Sequence, residues 1–225
     1  MTIRVASYNT RDFLDDRRAA AAVVRAVAPD VLLLQEVPRR WWPAPRVRRF
    51  ATEAGLRWPG GHRGSGGTTV MVSERITVEA VSHHGLPVPA GQRTRGYAVL
   101  RGRLADGPPV TAVSVHLGLF AGQRLRHTHQ ILAALPAAGS VVLAGDLNEG
   151  AGSPSWETIA SRLQLLSDPA PTYPSWAPQE RLDVVWGRGV RRVPGPPPAL
   201  EPGAQILRQA SDHLPVWVDV EVDAP

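Results

Sequence analysis

The residues best suited to chemistry lie in one short stretch, residues 141–149, where an apolar run is followed by a glycine, an acid and an amide. A carboxylate such as that of Asp146 can accept or direct a proton, and an amide such as that of Asn148 can hold an oxyanion. Both residue types also favour turns, so the stretch alone is equally compatible with a structural role. Other segments of the chain must therefore decide between a chemical and a structural role for these two residues.

Acids occur at two further positions that an apolar core does not tolerate without compensation. Glu36 follows the apolar segment 31–34, and a carboxylate beside a core requires a partner or a metal ion. Asp183 lies inside the apolar segment 181–186, where an unpaired carboxylate is costly. Both acids therefore favour a functional explanation.

Histidine, arginine and asparagine side chains complete the polar set at or inside the predicted strands. Asp212 and His213 are adjacent and follow a loop, an arrangement that suits acid–base chemistry. The whole set is Asn9, Glu36, Arg95, His116, Asp146, Asn148, Asp183, Asp212 and His213. Two acids with an amide can hold a hard cation through oxygen ligands, and histidines with an arginine can bind phosphate.

Hydrophobic periodicity predicts an α/β arrangement that carries these residues to strand ends. The predicted strands are 3–8, 31–34, 68–73, 95–100, 110–115, 141–144, 181–186 and 214–220, and the predicted helices are 17–28, 44–54, 123–135 and 154–162. No element is predicted over 187–205. His83 and His84 lie in a predicted polar connection, and His127 and His129 lie off the apolar stripe of the third helix, so all four are expected at the surface.

Composition limits the classes of protein that the chain can belong to. The 225 residues are 43% hydrophobic and no linker divides them, so residues 1–225 are predicted to form a single domain. The absence of cysteine excludes disulfides, thiolate metal sites and a cysteine nucleophile. No apolar stretch approaches the ~20 residues that span a bilayer, and no signal-peptide pattern is seen. A monomeric cytoplasmic protein is expected.

The charge of the chain favours an anionic partner. The formal net charge is +5, and all 25 basic residues are arginines, whose planar guanidinium groups suit phosphate. Within residues 38–50, arginines are interleaved with Trp41 and Trp42, a combination found in nucleic-acid-binding segments and at membrane interfaces. A loop that leads into a surface helix explains the same residues without any ligand.

Taken in order, the segments around these residues resemble the endonuclease/exonuclease/phosphatase superfamily, which has the deoxyribonuclease-I-like fold. The matching segments are Tyr8-Asn9, Leu34-Gln35-Glu36, Arg95 ahead of Ala98-Val99, Val115-His116-Leu117, Gly145-Asp146-Leu147-Asn148, Leu182-Asp183-Val184-Val185 and Ser211-Asp212-His213-Leu214-Pro215. The resemblance runs from about residue 3 to 220 and is poorest over 38–66 and 187–208. It implies an α/β four-layer sandwich, in which two packed mixed β-sheets are flanked by helices.

The resemblance also implies metal-dependent hydrolysis of phosphate esters, with Mg²⁺ or Mn²⁺ as the cofactor. It makes Glu36 the main metal ligand, assisted by Asn9 and Asp212. Asp146 is then the group that orients or deprotonates the attacking water, and Asn148 is its companion on the phosphate. The oxygen-rich ligand set agrees with a hard divalent cation.

The remaining residues of the resemblance act on the phosphate. Asp183 and His213 correspond to an acid–histidine pair in which the carboxylate fixes the imidazole, and His116 and Arg95 correspond to phosphate contacts. Negative charge on the phosphoryl oxygens must be neutralised during hydrolysis, which Arg95 and protonated histidines can do. These roles are expectations of the resemblance.

The substrate is the least determined part of the prediction. The family cleaves DNA, RNA, phospholipids and small phosphate esters with one core, and the basic composition favours nucleic acid, cut as an endonuclease or an exonuclease. A phospholipid or small-molecule phosphodiesterase or phosphatase is the alternative. A non-catalytic binding module is more remote, because the polar set is intact.

Overall fold

The computed structural model describes residues 2–105, 107–195 and 203–222, which contain eleven strands and five α-helices. The strands are β1 (Thr2–Asn9), β2 (Val31–Gln35), β3 (Thr69–Val72), β4 (Ile76–Leu86), β5 (Arg95–Leu104), β6 (Val110–His116), β7 (Ser140–Asp146), β8 (Gln164–Leu165), β9 (Asp183–Arg188), β10 (Val190–Arg192) and β11 (Val216–Val222). The helices are α1 (Arg17–Val27), α2 (Pro43–Ala54), α3 (Ala121–Ala134), α4 (Pro154–Ala160) and α5 (Ala204–Ala210).

The strands form two mixed sheets. The first sheet has five strands in the order β10-β11-β1-β2-β3, and the second has six in the order β4-β5-β6-β7-β9-β8. Each sheet contains one parallel pair, β1–β2 in the first and β6–β7 in the second. Parallel neighbours end at the same edge of a sheet, so both sheets gather strand ends that carry polar residues.

Apolar side chains join the layers. One core cluster lies between the two sheets and includes Leu33, Leu100 and Val142. Helices α1, α2 and α5 cover the outer face of the first sheet, whereas α3 and α4 cover the outer face of the second. Strands such as β2 are buried on both faces, which explains their unbroken apolar sequence. The predicted sandwich of two mixed sheets flanked by helices is confirmed.

The polar connection predicted around His83 and His84 is in fact a strand. Residues Ile76–Leu86 form β4 at the edge of the second sheet, paired with β5 and carrying a register shift between Val78 and Ala80. Most side chains of this edge strand are not buried, so the sequence lacks the apolar alternation that predicts strands. His84 is exposed as predicted, and His83 is partly buried.

The prediction for the third helix was wrong at His127. This side chain is buried, and its Nε2 lies 2.8 Å from the carbonyl oxygen of Pro87 in the loop that follows β4. His129 is exposed, as expected. The error has a clear cause, because a loop covers the side of α3 next to its apolar stripe and satisfies the imidazole there.

Smaller differences concern the ends of elements and the proline-rich region. The last predicted strand begins at Val216 rather than at residue 214, because Pro215 has no N–H to donate to a ladder. Part of the region 187–205 forms β10, and α5 begins at Ala204. The remainder of that region, residues 196–202, lies outside the described residues. Within the described ranges, no helix has the length and apolar character needed to cross a membrane.

Candidate active site

Strand register places three of the predicted site residues side by side in the second sheet. Asp146, at the end of β7, lies opposite His116 on β6 and opposite Asp183 on β9. Gly145 makes this possible, because a Cβ atom there would lie 1.9 Å from the carbonyl oxygen of Val115. The glycine thus allows the strands to approach closely one residue before the carboxylate.

The first sheet contributes the other side of the site. Asn9 ends β1 beside Gln35 of β2, so Glu36 follows directly at the same edge. The segment before β11 is held there by Ser211, whose hydroxyl donates to the carbonyl oxygen of Asn9 at 2.7 Å. Asp212 and His213 are therefore anchored to the end of β1 before the last strand begins.

Asp146, at the end of β7 in the second sheet, is hydrogen-bonded to Asn9 at the end of β1 in the first sheet. Its Oδ2 accepts a hydrogen bond of 3.0 Å from Nδ2 of Asn9, and its Oδ1 accepts one of 2.9 Å from the backbone N–H of Asn148. The Asn148 backbone adopts a left-handed conformation, with φ of 52°. The turn after β7 therefore has two roles: it leads the chain out of the strand, and its backbone N–H fixes the carboxylate of Asp146.

His213 and Asp183 form the acid–histidine contact expected from the sequence. Nδ1 of His213 lies 2.8 Å from Oδ2 of Asp183. The same carboxylate oxygen accepts a 2.7 Å hydrogen bond from the hydroxyl of Thr172, and the ring of Tyr173 packs at 4.8 Å from the imidazole. The imidazole is thus fixed through Nδ1, which leaves Nε2 directed towards Asp146 Oδ2 at 3.8 Å.

Burial and neighbouring charges give Asp146 and His213 different protonation states. Burial raises the pKa of Asp146 to about 6, although the nearby imidazole of His213 opposes this. Burial alone would lower the pKa of His213, but the adjacent carboxylate of Asp183 outweighs it and raises this pKa to about 10. Near neutral pH Asp146 is mostly ionised and can accept a proton, whereas His213 is protonated and can only donate one.

His116 differs from the expectation that the site histidines carry charge. It is fully buried, and burial together with the charge of Arg95 lowers its pKa well below the ordinary value. Its Nε2 lies 3.4 Å from Oδ2 of Asp146 and 3.9 Å from Oε1 of Glu36. A neutral imidazole in this position can still donate one hydrogen bond, but it adds no positive charge.

Arg95 and Asn148 converge on one backbone carbonyl. Nε of Arg95 and Nδ2 of Asn148 donate to the oxygen of Leu117, at 2.9 and 3.0 Å. Burial lowers the pKa of Arg95, and the charges of Glu36 and Asp146 oppose this shift. The guanidinium and the amide are therefore held together beside the two acids, where both can contact an anion.

The predicted metal ligands do not all belong to one cluster. Within the described ranges, the group of acids and histidines close enough to hold a metal ion consists of Asp146, Asp183 and His213, whose ligand atoms all lie within 4.8 Å of one another. Glu36 and Asp212 lie outside this group. An imidazole must be neutral to bind a metal, so an ion held by this group would displace the proton from His213.

Glu36 and Asp212 are instead each paired with an arginine. Oε2 of Glu36, a side chain with 15% exposure, lies 3.2 Å from Nη1 of Arg93. Oδ2 of Asp212 lies 3.3 Å from Nε of Arg11. Glu36 has a left-handed backbone, with φ of 49°, and its carbonyl oxygen accepts the N–H of Asp12 at 2.5 Å. Strain of this kind in a non-glycine residue is typical of functional sites.

Sequence reasoning missed two supporting residues. Thr172 orients Asp183 from a loop in which only turns were expected, and Arg93 pairs with Glu36 from the loop before β5. The threonine precedes a Tyr-Pro turn that folds back on the site, which only the tertiary structure reveals. Arg93 is one of 25 arginines, and no sequence signal separates it from the others.

Comparison with known proteins identifies the family of the chain. The model of the endonuclease/exonuclease/phosphatase family matches residues 6–213, and the chain belongs to this family of phosphoester hydrolases. A search of curated proteins by sequence found no match.

Solved structures with the same fold cover nearly the whole chain. A functionally unknown conserved protein from Enterococcus faecalis V583 superposes with a TM-score of 0.80 at 17% identity, over 98% of this chain and 100% of its own. An endonuclease/exonuclease/phosphatase from Beutenbergia cavernae gives 0.76 at 22% identity, over 99% and 72%. The catalytic domain of human nocturnin, solved with a bound sulfate anion, gives 0.67 at 16% identity, over 98% and 94%. At these identities the likeness shows the fold alone.

Proposed function

We propose that the protein is a divalent-metal-dependent phosphodiesterase that acts on nucleic acid. The observation that carries the hydrolytic part is the buried contact series Asp183–His213–Asp146, in which a proton donor and a proton acceptor stand 3.8 Å apart. Hydrolysis of a phosphodiester needs both groups, one for the attacking water and one for the leaving oxygen. The site keeps them in the required protonation states at the same pH.

The chain's own residues account for the movement of protons. In the proposed reaction, the oxygen of water attacks phosphorus and gives its proton to the carboxylate of Asp146. The ester P–O bond breaks, and the leaving oxygen takes a proton from Nε2 of His213, whose Nδ1 stays bound to Asp183. Arg95 and Asn148 hold the phosphoryl oxygens, since both face the site from the carbonyl oxygen of Leu117.

The donor set also fits a hard divalent cation. The carboxylates of Glu36 and Asp146 face the same atom, Nε2 of neutral His116, at 3.9 and 3.4 Å. Carboxylate oxygens are the ligands that Mg²⁺ and Mn²⁺ prefer. Glu36 would hold the ion, with Asn9 and Asp212 as further oxygen donors at the same edge. When bound, such an ion neutralises charge on the phosphoryl group.

The metal and the chemistry are tested together with a small chromogenic phosphodiester. Activity is expected with Mg²⁺ or Mn²⁺ and none in excess chelator, and Asp146→Asn should reduce the rate by at least about a hundredfold. Glu36→Gln should weaken metal binding in a calorimetric titration, whereas the surface substitution Glu79→Gln should not. Full activity in chelator would refute the metal dependence.

Nucleic acid is proposed as the substrate because of charge. The net charge of +5 and the arginines that follow Glu36 support a polyanionic ligand. Cleavage of DNA, RNA, a phospholipid and a small diester would be compared at two salt concentrations. Polynucleotide cleavage should fall steeply with salt and on reversal of Arg39, Arg40, Arg46 and Arg48 to glutamate. If phospholipid or small esters alone were cleaved, the nucleic-acid part would be abandoned and the hydrolase part kept.

A further inference from the structure

Three cavities beside the site are connected by shared lining residues. Their volumes are about 250, 580 and 560 Å³. Gln92 and Arg93 line both the first and the second cavity, and Arg39 and Thr94 line both the second and the third. Neighbouring cavities thus share lining residues, and we call this row of three cavities the arginine groove.

The arginine groove starts at the catalytic residues. Arg95 lines the first cavity and is bound to the carbonyl oxygen of Leu117. Arg93, at the junction of the first and second cavities, lies 3.2 Å from the carboxylate of Glu36. A chain whose scissile phosphate lies between these two arginines would continue into the second and third cavities.

The walls of the groove are strongly basic. Seven of the lining residues are arginines, and Asp12 is the one acid among them. Asp12 contacts Arg93 and lies 3.8 Å from Arg39. Towards the far end, Arg40, Arg48 and Arg63 are exposed to solvent. Such a row of cations extends well beyond what a single phosphate group requires.

Aromatic rings are placed along the same walls. Trp41, with 84% exposure, lines the second cavity, and Trp58 lines the third. The indole N–H of Trp58 donates to the hydroxyl of Thr69 at 2.9 Å, which fixes its ring. Trp41 and Trp42 have left-handed backbones, with φ of 55° and 59°. This conformation is unfavourable for bulky residues, so the outward position of these rings is maintained against a local preference.

We propose that the arginine groove binds a single-stranded polynucleotide, an inference that rests on the proposed function and specifies its substrate. Arginines pair with the phosphates, and the unpaired bases stack on Trp41 and Trp58. A basic groove with aromatic platforms is the arrangement that suits single strands. A duplex hides the faces of its bases, and a lipid surface would have to reach Trp58 inside a concave wall.

The test measures binding alone, so that it is independent of catalysis. A labelled oligothymidylate and its duplex with oligoadenylate are titrated in chelator, with protein that carries Asp146→Asn. The single strand should bind more tightly. Adding Arg48→Glu and Arg63→Glu should weaken it about tenfold and make the log–log salt slope shallower by about 1.4, since each single-strand contact contributes about 0.7. The same charge change at Arg101 and Arg162, exposed residues that do not line the groove, is the control.

A second variant examines stacking. Trp41→Ala should lower single-strand affinity roughly 5- to 140-fold and leave duplex affinity unchanged, and Trp41→Phe should retain most of the binding. The inference is overturned by equal affinity for duplex and single strand, by arginine variants that match their control, or by Trp41-dependent binding to anionic vesicles without binding to the oligonucleotide. Inactivity towards a small diester, with these binding results intact, would contradict the proposed function alone.

Discussion

Replacing Asp183 by asparagine should change how the rate depends on pH more than it changes the structure. Asparagine keeps the shape of the side chain but removes the charge that holds His213 protonated. The pKa of His213, about 10 in the structure against an ordinary value of 6.5, corresponds to about 5 kcal/mol of preferential stabilisation of the imidazolium. Without Asp183, burial becomes the dominant influence and lowers this pKa.

The expected readout is the width of the pH profile of kcat/KM. In the wild type, Asp146 is ionised above about pH 6 and His213 is protonated below about pH 10, so the rate should be nearly flat between these values. In Asp183→Asn the upper limit should move towards or below the lower one, which leaves a narrow maximum near pH 6. At pH 8 the rate should fall at least about 30-fold from loss of the protonated form alone, since an ordinary imidazole pKa of 6.5 already gives that factor.

The control is Asp168→Asn, which removes a carboxylate that pairs with Arg192 and is not among the groups that shift the pKa of His213. Its upper limit should stay near that of the wild type, whatever happens to the absolute rate. NMR titration of the His213 ring should follow the kinetic limit. A broad plateau in Asp183→Asn, or an unchanged imidazole pKa, would refute the assignment of His213 as the acid that Asp183 maintains.

Three further outcomes are expected. The pKa of Asp146 is raised from 3.8 to about 6, so its ionisation costs the folded state up to about 3 kcal/mol above pH 6 and nothing below pH 3.8. Asp146→Asn removes this pH dependence but also loses a hydrogen-bond acceptor, so its Tm should rise relative to that of the wild type between pH 4 and pH 8, and a difference in Tm that stays constant with pH would contradict this. Arg93→Ala removes a cation 3.2 Å from Glu36, so Mn²⁺ should bind several-fold more tightly in calorimetry; unchanged or weaker binding would refute it. Gly145→Ala forces a methyl group against a carbonyl oxygen of the neighbouring strand and should cost about 3 kcal/mol or more in urea unfolding, whereas Gly150→Ala, with nothing within 4 Å, should be nearly neutral.

The sequence predicted the buried strands and the polar site residues that interrupt or end them. Asp183 was singled out because it interrupts an apolar strand, and the structure shows the contact with His213 that such a buried carboxylate requires. The strands that bear Asp146 and His116 were also predicted, because both are buried on two faces and their sequences are mostly apolar.

The remainder depends on contacts between distant segments. The hydrogen bond from Asn9 to Asp146 joins the two sheets, and no local pattern encodes it. Edge strand β4 is polar because one of its sides faces solvent, so its pattern resembles that of a loop. His127 is buried by a loop rather than by its own helix, which reversed the prediction. The protonation states of His116 and His213 likewise follow from burial and neighbours, not from residue type.

The pairing of β1 with β11 has a consequence for how the protein is made. Thr2 lies opposite Glu221, and Ser211 binds the carbonyl oxygen of Asn9, so this edge of the first sheet is completed by a segment that is synthesised 202 residues later. Contacts of such long sequence separation form late in folding. A chain that lacks β11 therefore exposes the open edge of β1, which favours aggregation, and also lacks the segment that places Asp212 and His213 beside Asn9.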